Sequence, residues 1–203
     1  MRKGLSASLA SFDLQARELP HAALALEPVV ATLQAQKEEV DRQIAQLTAS
    51  QPEFAIAPEL EKVPGIGKVT AATLASRLSS HAFGHSDAFG HSDAFGHSDA
   101  FVAYCGLDVG VRQSGRRSGQ TGLTKQGDGE LRRLLYLAAQ SNLRSKNSPF
   151  KAHSERERAK GLSTAAALCA VARKLARLAW SLHKQGTSYE PDRVHRQNQL
   201  HNP

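Results

Sequence analysis

A mainly α-helical protein is the expectation from the amino-acid sequence, and three observations lead to it. Ala, Leu, Gln, Arg and Lys dominate the 203 residues, and small or straight side chains of this kind lose little freedom in a helix. Aromatic residues make up only 5% of the chain, so the aromatic and β-branched runs that favour strands are rare. Apolar positions also recur at three- and four-residue spacing in several long stretches, the period of a helix face.

The elements follow in order. Residues 1–27 carry weak, Ala-rich helical patterning interrupted by Pro20. From Pro28, a good first-turn residue, a helix is expected to about Ser50, with Leu26, Leu33, Val40 and Leu47 seven apart and Val30 and Ile44 between them. Lys37 falls on the same seam. The pattern therefore fits a helix packed on its own domain as well as a coiled-coil-like helix that joins a second chain. Residues 1–52 are expected to hold this lead-in and helix, with Pro52 and Pro58 marking a linker.

A helical domain over 59–188 is expected next. Two helical pieces flank Pro64-Gly65-Ile66-Gly67, the pattern of a helix-hairpin-helix element. His-Ser-Asp-Ala-Phe then occurs at 85–89, 91–95 and 97–101, joined by Gly90 and Gly96. Identity without divergence points to duplication by slippage, and a flexible loop over 84–100 is expected. A metal-binding array of His85, His91 and His97 with Asp87, Asp93 and Asp99 is disfavoured by the spacing, because six residues turn a helix by about 600° and aim successive ligands differently. A Gly/Ser/Arg loop is expected through residue 122. A helix starting near Asp128 carries Leu131, Leu134, Leu135, Ala138, Ala139 and Leu143 on one face. Ser148-Pro149 breaks it, a very basic segment runs from Lys151 to Lys160, and a last helix spans about Ser163–Lys184 with Gly186 as its stop. Residues 189–203 read as a disordered polar tail.

The net charge of +7 is uneven. Residues 1–60 are net −3 and 61–109 net −2, whereas 110–160 carry twelve basic and four acidic side chains, net +8, and the remainder is net +4. A positive field confined to the second half is the footprint of a polyanion-binding surface. Cys105 and Cys169 are too few for a disulfide framework, which fits a reducing cytoplasm. No run approaches the roughly 20 apolar residues that cross a bilayer, so no membrane partner is expected.

Two motifs carry chemistry. In the hairpin, Gly65 and Gly67 tolerate positive φ and let a phosphate approach the backbone, the following helix N-terminus adds its dipole, and Lys68 adds one charged contact. The same turn also fits a plain scaffold joining two packed helices. In Arg112-Gln-Ser114-Gly-Arg116-Arg117-Ser-Gly, three guanidinium groups can neutralise a phosphodiester while glycines expose a hydroxyl, the two conditions that serine attack on phosphorus requires. No general base stands out, and spacing alone does not choose between Ser114 and Ser118.

The order Pro-Gly-Ile-Gly, Ala-Tyr-Cys-Gly-Leu, Gln-Ser-Gly, Gly-Leu-Thr-Lys-Gln-Gly-Asp, Leu-Arg-Arg-Leu-Leu and Ala-Arg-Lys-Leu-Ala, over about 60–190, resembles the C-terminal transposase domain of the insertion-sequence-110 family, to which the pilin-gene-inverting recombinase also belongs. The resemblance implies a two-part enzyme: an N-terminal RNase-H-like domain whose four acidic residues bind Mg²⁺, a coiled coil, and this domain with a serine that joins DNA covalently. It places that serine at Ser114. It implies DNA transposition or site-specific recombination, guided in some members by a structured RNA, with Lys125 and the basic helix face of Arg132 and Arg133 holding DNA or RNA backbone.

The chain departs from this pattern in lacking room for the acidic domain and in carrying the tandem repeat. A truncated copy of a mobile element is therefore expected, cytoplasmic and nucleoid-associated, with no cofactor of its own, Mg²⁺ belonging to the missing domain, and inactive in strand transfer alone. Its expected partners are DNA, guide RNA, and a second copy or a full-length transposase reached through the helix 28–50. The alternatives are a non-catalytic nucleic-acid-binding regulator of an intact transposase and a decayed relic.

Overall fold

The computed structural model describes residues 8, 10–11, 20–83, 96–114, 117–146 and 148–191, with the backbone alone at 20–25, 80–83, 110–114 and 117–121. The chain divides into two compact units, Met1–Gln51 and Pro52–Pro203.

Among the described residues of the first unit, residues 8, 10 and 11 are helical and one long helix follows, α1 (Pro20–Ser50). It begins eight residues before the expected start and carries Pro28 in its interior. The Ala-Ala-Leu-Ala-Leu run at 22–26 consists of strong helix formers, and it carries the helix through the proline. The Thr32 hydroxyl donates to the Pro28 carbonyl at 2.7 Å. Intrahelical pairs line the surface, among them Lys37–Asp41 at 3.3 Å and Arg42–Glu39 at 2.6 Å. From residue 26 to 50 no side chain is buried; Leu26, Val30, Leu33, Lys37, Val40 and Ile44 are half-exposed, and Leu47 is exposed.

The second unit is helical with one short ribbon. A 3₁₀ turn (Pro52–Phe54) leads to α2 (Ala57–Glu61), α3 (Lys68–Phe83), α4 (Ser98–Tyr104), strands β1 (Val109–Ser114) and β2 (Arg117–Leu123), α5 (Gly129–Arg144), α6 (Lys151–Ala159) and α7 (Thr164–Gln185). Helix α7 is the spine: it packs against α4, α5 and α6 and buries Leu168, Val171, Ala172, Leu175, Ala176, Ala179 and Leu182. Ser163 caps its start, accepting from Ala166 N at 3.2 Å, and Gly186 ends it in the left-handed region at φ 58. Leu131, Leu135, Ala138 and Ala139 of α5 face the same core.

Three expectations change. The Gly/Ser/Arg stretch is an antiparallel ribbon, not a loop: Val109 pairs with Leu123, Val111 with Gln120 and Ser114 with Arg117. Val109, Val111 and Thr121 are β-branched and suit extended backbone. The register shifts between Val109 and Val111, and Gly122 opposite it takes φ 79, the mark of a glycine bulge. The repeat loop also ends earlier than residue 100. The third copy starts α4, where His97 Nδ1 accepts from Ala100 N at 3.1 Å, Asp99 pairs with Arg177 at 2.8 Å, and Phe101 is fully buried. His85, His91, Asp87 and Asp93, the other members of the array weighed above, lie outside the described residues. Finally, Tyr189 at the head of the expected tail is 9% exposed and packs in the core, and its N–H donates to Glu59 Oε2 at 3.1 Å. Its hydroxyl has no hydrogen-bond partner among the described protein groups, so apolar contact of the ring holds this segment down. Residues 192–203 lie outside the described residues.

One buried polar node ties α5 to the turn between α2 and α3. Asn142, fully buried, donates through Nδ2 to the Pro64 carbonyl at 2.6 Å. The Ser148 hydroxyl donates to Asn142 Oδ1 and accepts from Phe150 N at 3.3 Å. Removing one member strands its partners without water, which costs about 1–3 kcal/mol for each buried group left unpaired. Asn142→Ala is expected to lower the unfolding free energy by about 2–4 kcal/mol on that basis, read in a urea titration as a lower midpoint with unchanged slope. Ser148→Ala leaves the Pro64 contact intact but strands Asn142 Oδ1 and Phe150 N, and is expected to cost a comparable amount.

Candidate nucleic-acid interface

The turn at 63–68 divides its two glycines between two tasks. Gly65 takes φ 89 and lies against the α5 backbone: a Cβ there would overlap the Ala138 carbonyl and come within 2.7 Å of Asn142 N. Its close approach is therefore to the protein's own helix. Gly67 has open space where a Cβ would stand, and both it and Lys68 are exposed at the start of α3. The solvent side of the hairpin is thus Gly67, Lys68 and the first N–H groups of α3, a natural seat for an anion.

The ribbon separates the remaining candidates. Its base rests on the end of α4. Leu107, fully buried, donates to the Val102 carbonyl at 3.1 Å, and Thr124 N donates to Asp108 O at 2.9 Å. Ser114 is the last residue of β1 and its register partner is Arg117, which sets their Cα atoms roughly 4.5–5.5 Å apart. Five residue steps separate Ser114 from Val109 at the base, about 17 Å of strand. Ser114, Arg112 and Arg117 therefore belong to the far end, and Lys125, Arg132 and Arg133 to the near end. Arg116 lies outside the described residues.

The near end is tightly built. Lys125 adopts φ 56, the left-handed region, without being a glycine, a conformation that costs a side-chain-bearing residue about 1–2 kcal/mol. Arg132 Nη1 donates to the Lys125 carbonyl at 3.2 Å. Gly106 leaves room for that guanidinium, since a Cβ there would strike it. Gly127, at φ 128, would meet the Tyr104 carbonyl with any side chain, and Asp128 N donates to the same carbonyl at 2.7 Å. The backbone is thus clamped on both sides of Lys125, and the Lys125 side chain itself is exposed. Arg133 is exposed and pairs with Glu130 at 3.2 Å.

Comparison with known proteins shows what residues 57–155 are similar to. Residues 57–155 match the model of the transposase IS116/IS110/IS902 family. Residues 57–155 are a transposase domain of that family. The chain is also 31% identical over 158 residues to the transposase for insertion sequence element IS1328 of Yersinia enterocolitica, an alignment that takes in 76% of this chain and 42% of that protein. The chain therefore spans less than half the length of this relative.

Within the transposase domain, Arg77 and Asp128 are the pair that sequence reading missed. Their side chains meet at 3.0 Å across 51 residues of sequence, a separation that no local pattern reveals. Asp128 also caps α5, accepting through Oδ1 from Glu130 N at 2.9 Å and Leu131 N at 3.0 Å. Burial pushes its carboxyl upward, but the Leu131 N–H, the Arg77 guanidinium and the Glu130 N–H outweigh burial and hold it below the usual carboxylate value. Cys105, fully buried beside this cap, has its thiol pushed up to about 12, first by burial and then by Asp128. It is inert as a nucleophile. Among the described residues no three His, Cys, Asp or Glu side chains converge as metal ligands. The described groups do not fit the Mg²⁺ site that the resemblance ties to a separate acidic domain.

Two expectations follow for the near end. Lys125→Gly relieves the left-handed strain and should raise stability by about 1 kcal/mol while weakening nucleic-acid binding, seen as a higher melting temperature beside a lower affinity. For Asp128 the folded carboxyl lies below its unfolded value, so its stabilisation is complete above pH 3.8 and disappears as pH falls through the lower folded value. Asp128→Ala should therefore lose about 1 kcal/mol of cap at neutral pH and show a flatter acid limb than the parent in urea titrations from pH 6 to pH 2.

Proposed function

We propose that this chain is the serine-bearing, DNA-binding half of an insertion-sequence transposase acting in site-specific recombination, with Ser114 as its nucleophile. The observation that carries the reading is the match of residues 57–155 to the transposase family, a stretch that includes both the ribbon and its base. The family is one of transposases, so in this reading DNA is the substrate class. Lys125, Arg132 and Arg133 at the base, Arg112 and Arg117 on the ribbon, Arg116 between them in sequence, and Lys68 with the N–H groups beside Gly67 supply the phosphate contacts. A two-stranded ribbon is also narrow enough to enter a major groove.

The chemistry assigned to the serine is a transesterification. Ser114 Oγ attacks phosphorus, an Oγ–P bond forms, one P–O ester bond breaks, and the hydroxyl proton ends on the expelled sugar oxygen. The neighbouring guanidinium groups stabilise the charge that builds on the phosphoryl oxygens. In this reading the proton acceptor and the Mg²⁺ chemistry come from an acidic domain of the kind the resemblance implies, which the described residues do not include.

A second reading draws on α1. Leu26, Val30, Leu33, Lys37, Val40 and Ile44, six of its half-exposed positions, alternate four and three apart, a seam for a second helix. In that reading the chain pairs through α1 with a full-length transposase and tunes its assembly without catalysis, with guide RNA as a further ligand of the basic surface.

The test uses purified chain with duplex element ends. Affinity should fall by orders of magnitude between 50 and 200 mM salt if several cations meet phosphates, and a flat response ends the nucleic-acid reading. With full-length partner and Mg²⁺ added, a protein–DNA adduct is expected from the parent chain and lost in Ser114→Ala. An adduct that survives Ser114→Ala removes the serine from the chemistry. Regulation that persists in Ser114→Ala but vanishes on deleting residues 1–50 favours the second reading.

A further inference from the structure

Helices α6 and α7 form a second cationic surface that the transposase reading leaves unused. From Arg158 to Tyr189 the sequence holds six basic side chains and no acidic one. A 22-residue surface helix without Asp or Glu, as α7 is, forgoes the pairs at three- and four-residue spacing that solvate a helix face. The two helices pack together, anchored by buried Ser154 on α6 and by the core face of α7. Their packing gathers Arg156 of α6 and Lys160 just past its end with Arg173, Lys174 and Arg177 from α7.

The anions nearby are fewer than the cations. Glu157 takes Lys160 at 3.1 Å, and Asp99 takes Arg177 at 2.8 Å. Neither Arg156 nor Arg173 forms an ion pair within 4.0 Å among the described residues. The electrostatics bear the mark of this crowding. Half-buried His153 has its imidazole pulled down to about 4, first by burial and then by Lys174, with Arg156 and Lys160 adding to it against Glu157. Lys174 is lowered by burial, then by Arg177 and Arg156. Mutual repulsion of this kind costs stability in the free protein and is relieved when a polyanion settles between the charges.

We infer that the α6–α7 surface is a second binding face for a nucleic-acid phosphodiester backbone, centred on Arg156 and Arg173. It is distinct from the ribbon and its base. Helix α4 connects the two regions, with Asp99 at its start on Arg177 and Tyr104 at its end under Asp128, a span of about 10 Å for seven residues. Two faces on one domain would let it hold two backbone segments, either two parts of one bent duplex or a duplex and an RNA strand.

The experiment is a fluorescence-anisotropy titration of the full chain with a labelled 30-base-pair duplex and with a labelled single-stranded RNA, each from 50 to 300 mM salt. Arg156→Gln with Arg173→Gln should shallow the slope of log affinity against log salt by roughly 1.8 for the duplex, two phosphate contacts at about 0.9 each. Arg42→Gln with Lys62→Gln removes the same charge from paired surface sites and should leave the slope nearly unchanged. Circular dichroism melts check that all variants fold. An equal change in the control pair overturns the inference, since only net charge would then be at work. So does an unchanged slope in the α6–α7 variant for both nucleic acids; if Lys125→Gln with Arg133→Gln still weakens binding, the function proposed above survives alone. An equal loss for polyglutamate and duplex overturns it as well, in favour of an acidic protein partner.

Discussion

A single buried amide holds the transposase domain in register. Asn142 reaches from α5 to the Pro64 carbonyl and receives the Ser148 hydroxyl on its other atom, so that one side chain joins three segments separated in sequence. Inside a core an amide is tolerated only when its donor and acceptor are both engaged. The same contact explains Gly65: because the turn is drawn onto α5, no other residue fits between its Cα and the Ala138 carbonyl. With that turn seated, α3 starts at Lys68 with its first N–H groups facing water, and α5 presents its N-terminal end beside the ribbon.

The loop from Lys125 to Asp128 shows the opposite economy. Here the backbone is strained, with a lysine in the left-handed region, yet it is braced by Arg132 from above, by Tyr104 through Asp128 N, and by two glycines that make space for the clamp. Strain retained under such bracing tends to mark functional positions. Asp128 unites the bracing with the helix, since one carboxylate caps α5 and holds Arg77 of α3. The electrostatic cost of partly burying that carboxylate is met by three donors.

Much of this was legible from residue order, and the rest was not for reasons that can be named. Periodicity located α5 and α7 because their apolar residues repeat on one face over 16 and 22 residues, and Asp128, Ser163 and Gly186 ended or began them with ordinary capping chemistry. Helix α4 hid inside the tandem repeat, because a His cap and one buried Phe give too little pattern over seven residues. The ribbon hid inside glycines and arginines: strand propensity there rests on Val109, Val111 and Thr121 alone, and pairing between the two halves supplies the rest. Of the candidate site, the basic character could be read directly, and Lys125 entered with the resemblance. The division of labour between Gly65 and Gly67 could not, because it depends on Asn142, 77 residues beyond Gly65 in sequence.

The anchoring of the third repeat copy bears on how this gene can change. His97, Asp99 and Phe101 each have a structural task, and all three lie in the copy that abuts Val102. Because the unit is six codons long, gain or loss of whole units by replication slippage preserves the reading frame and always leaves one intact copy beside Val102. A change in copy number therefore leaves the residues that start α4 in place.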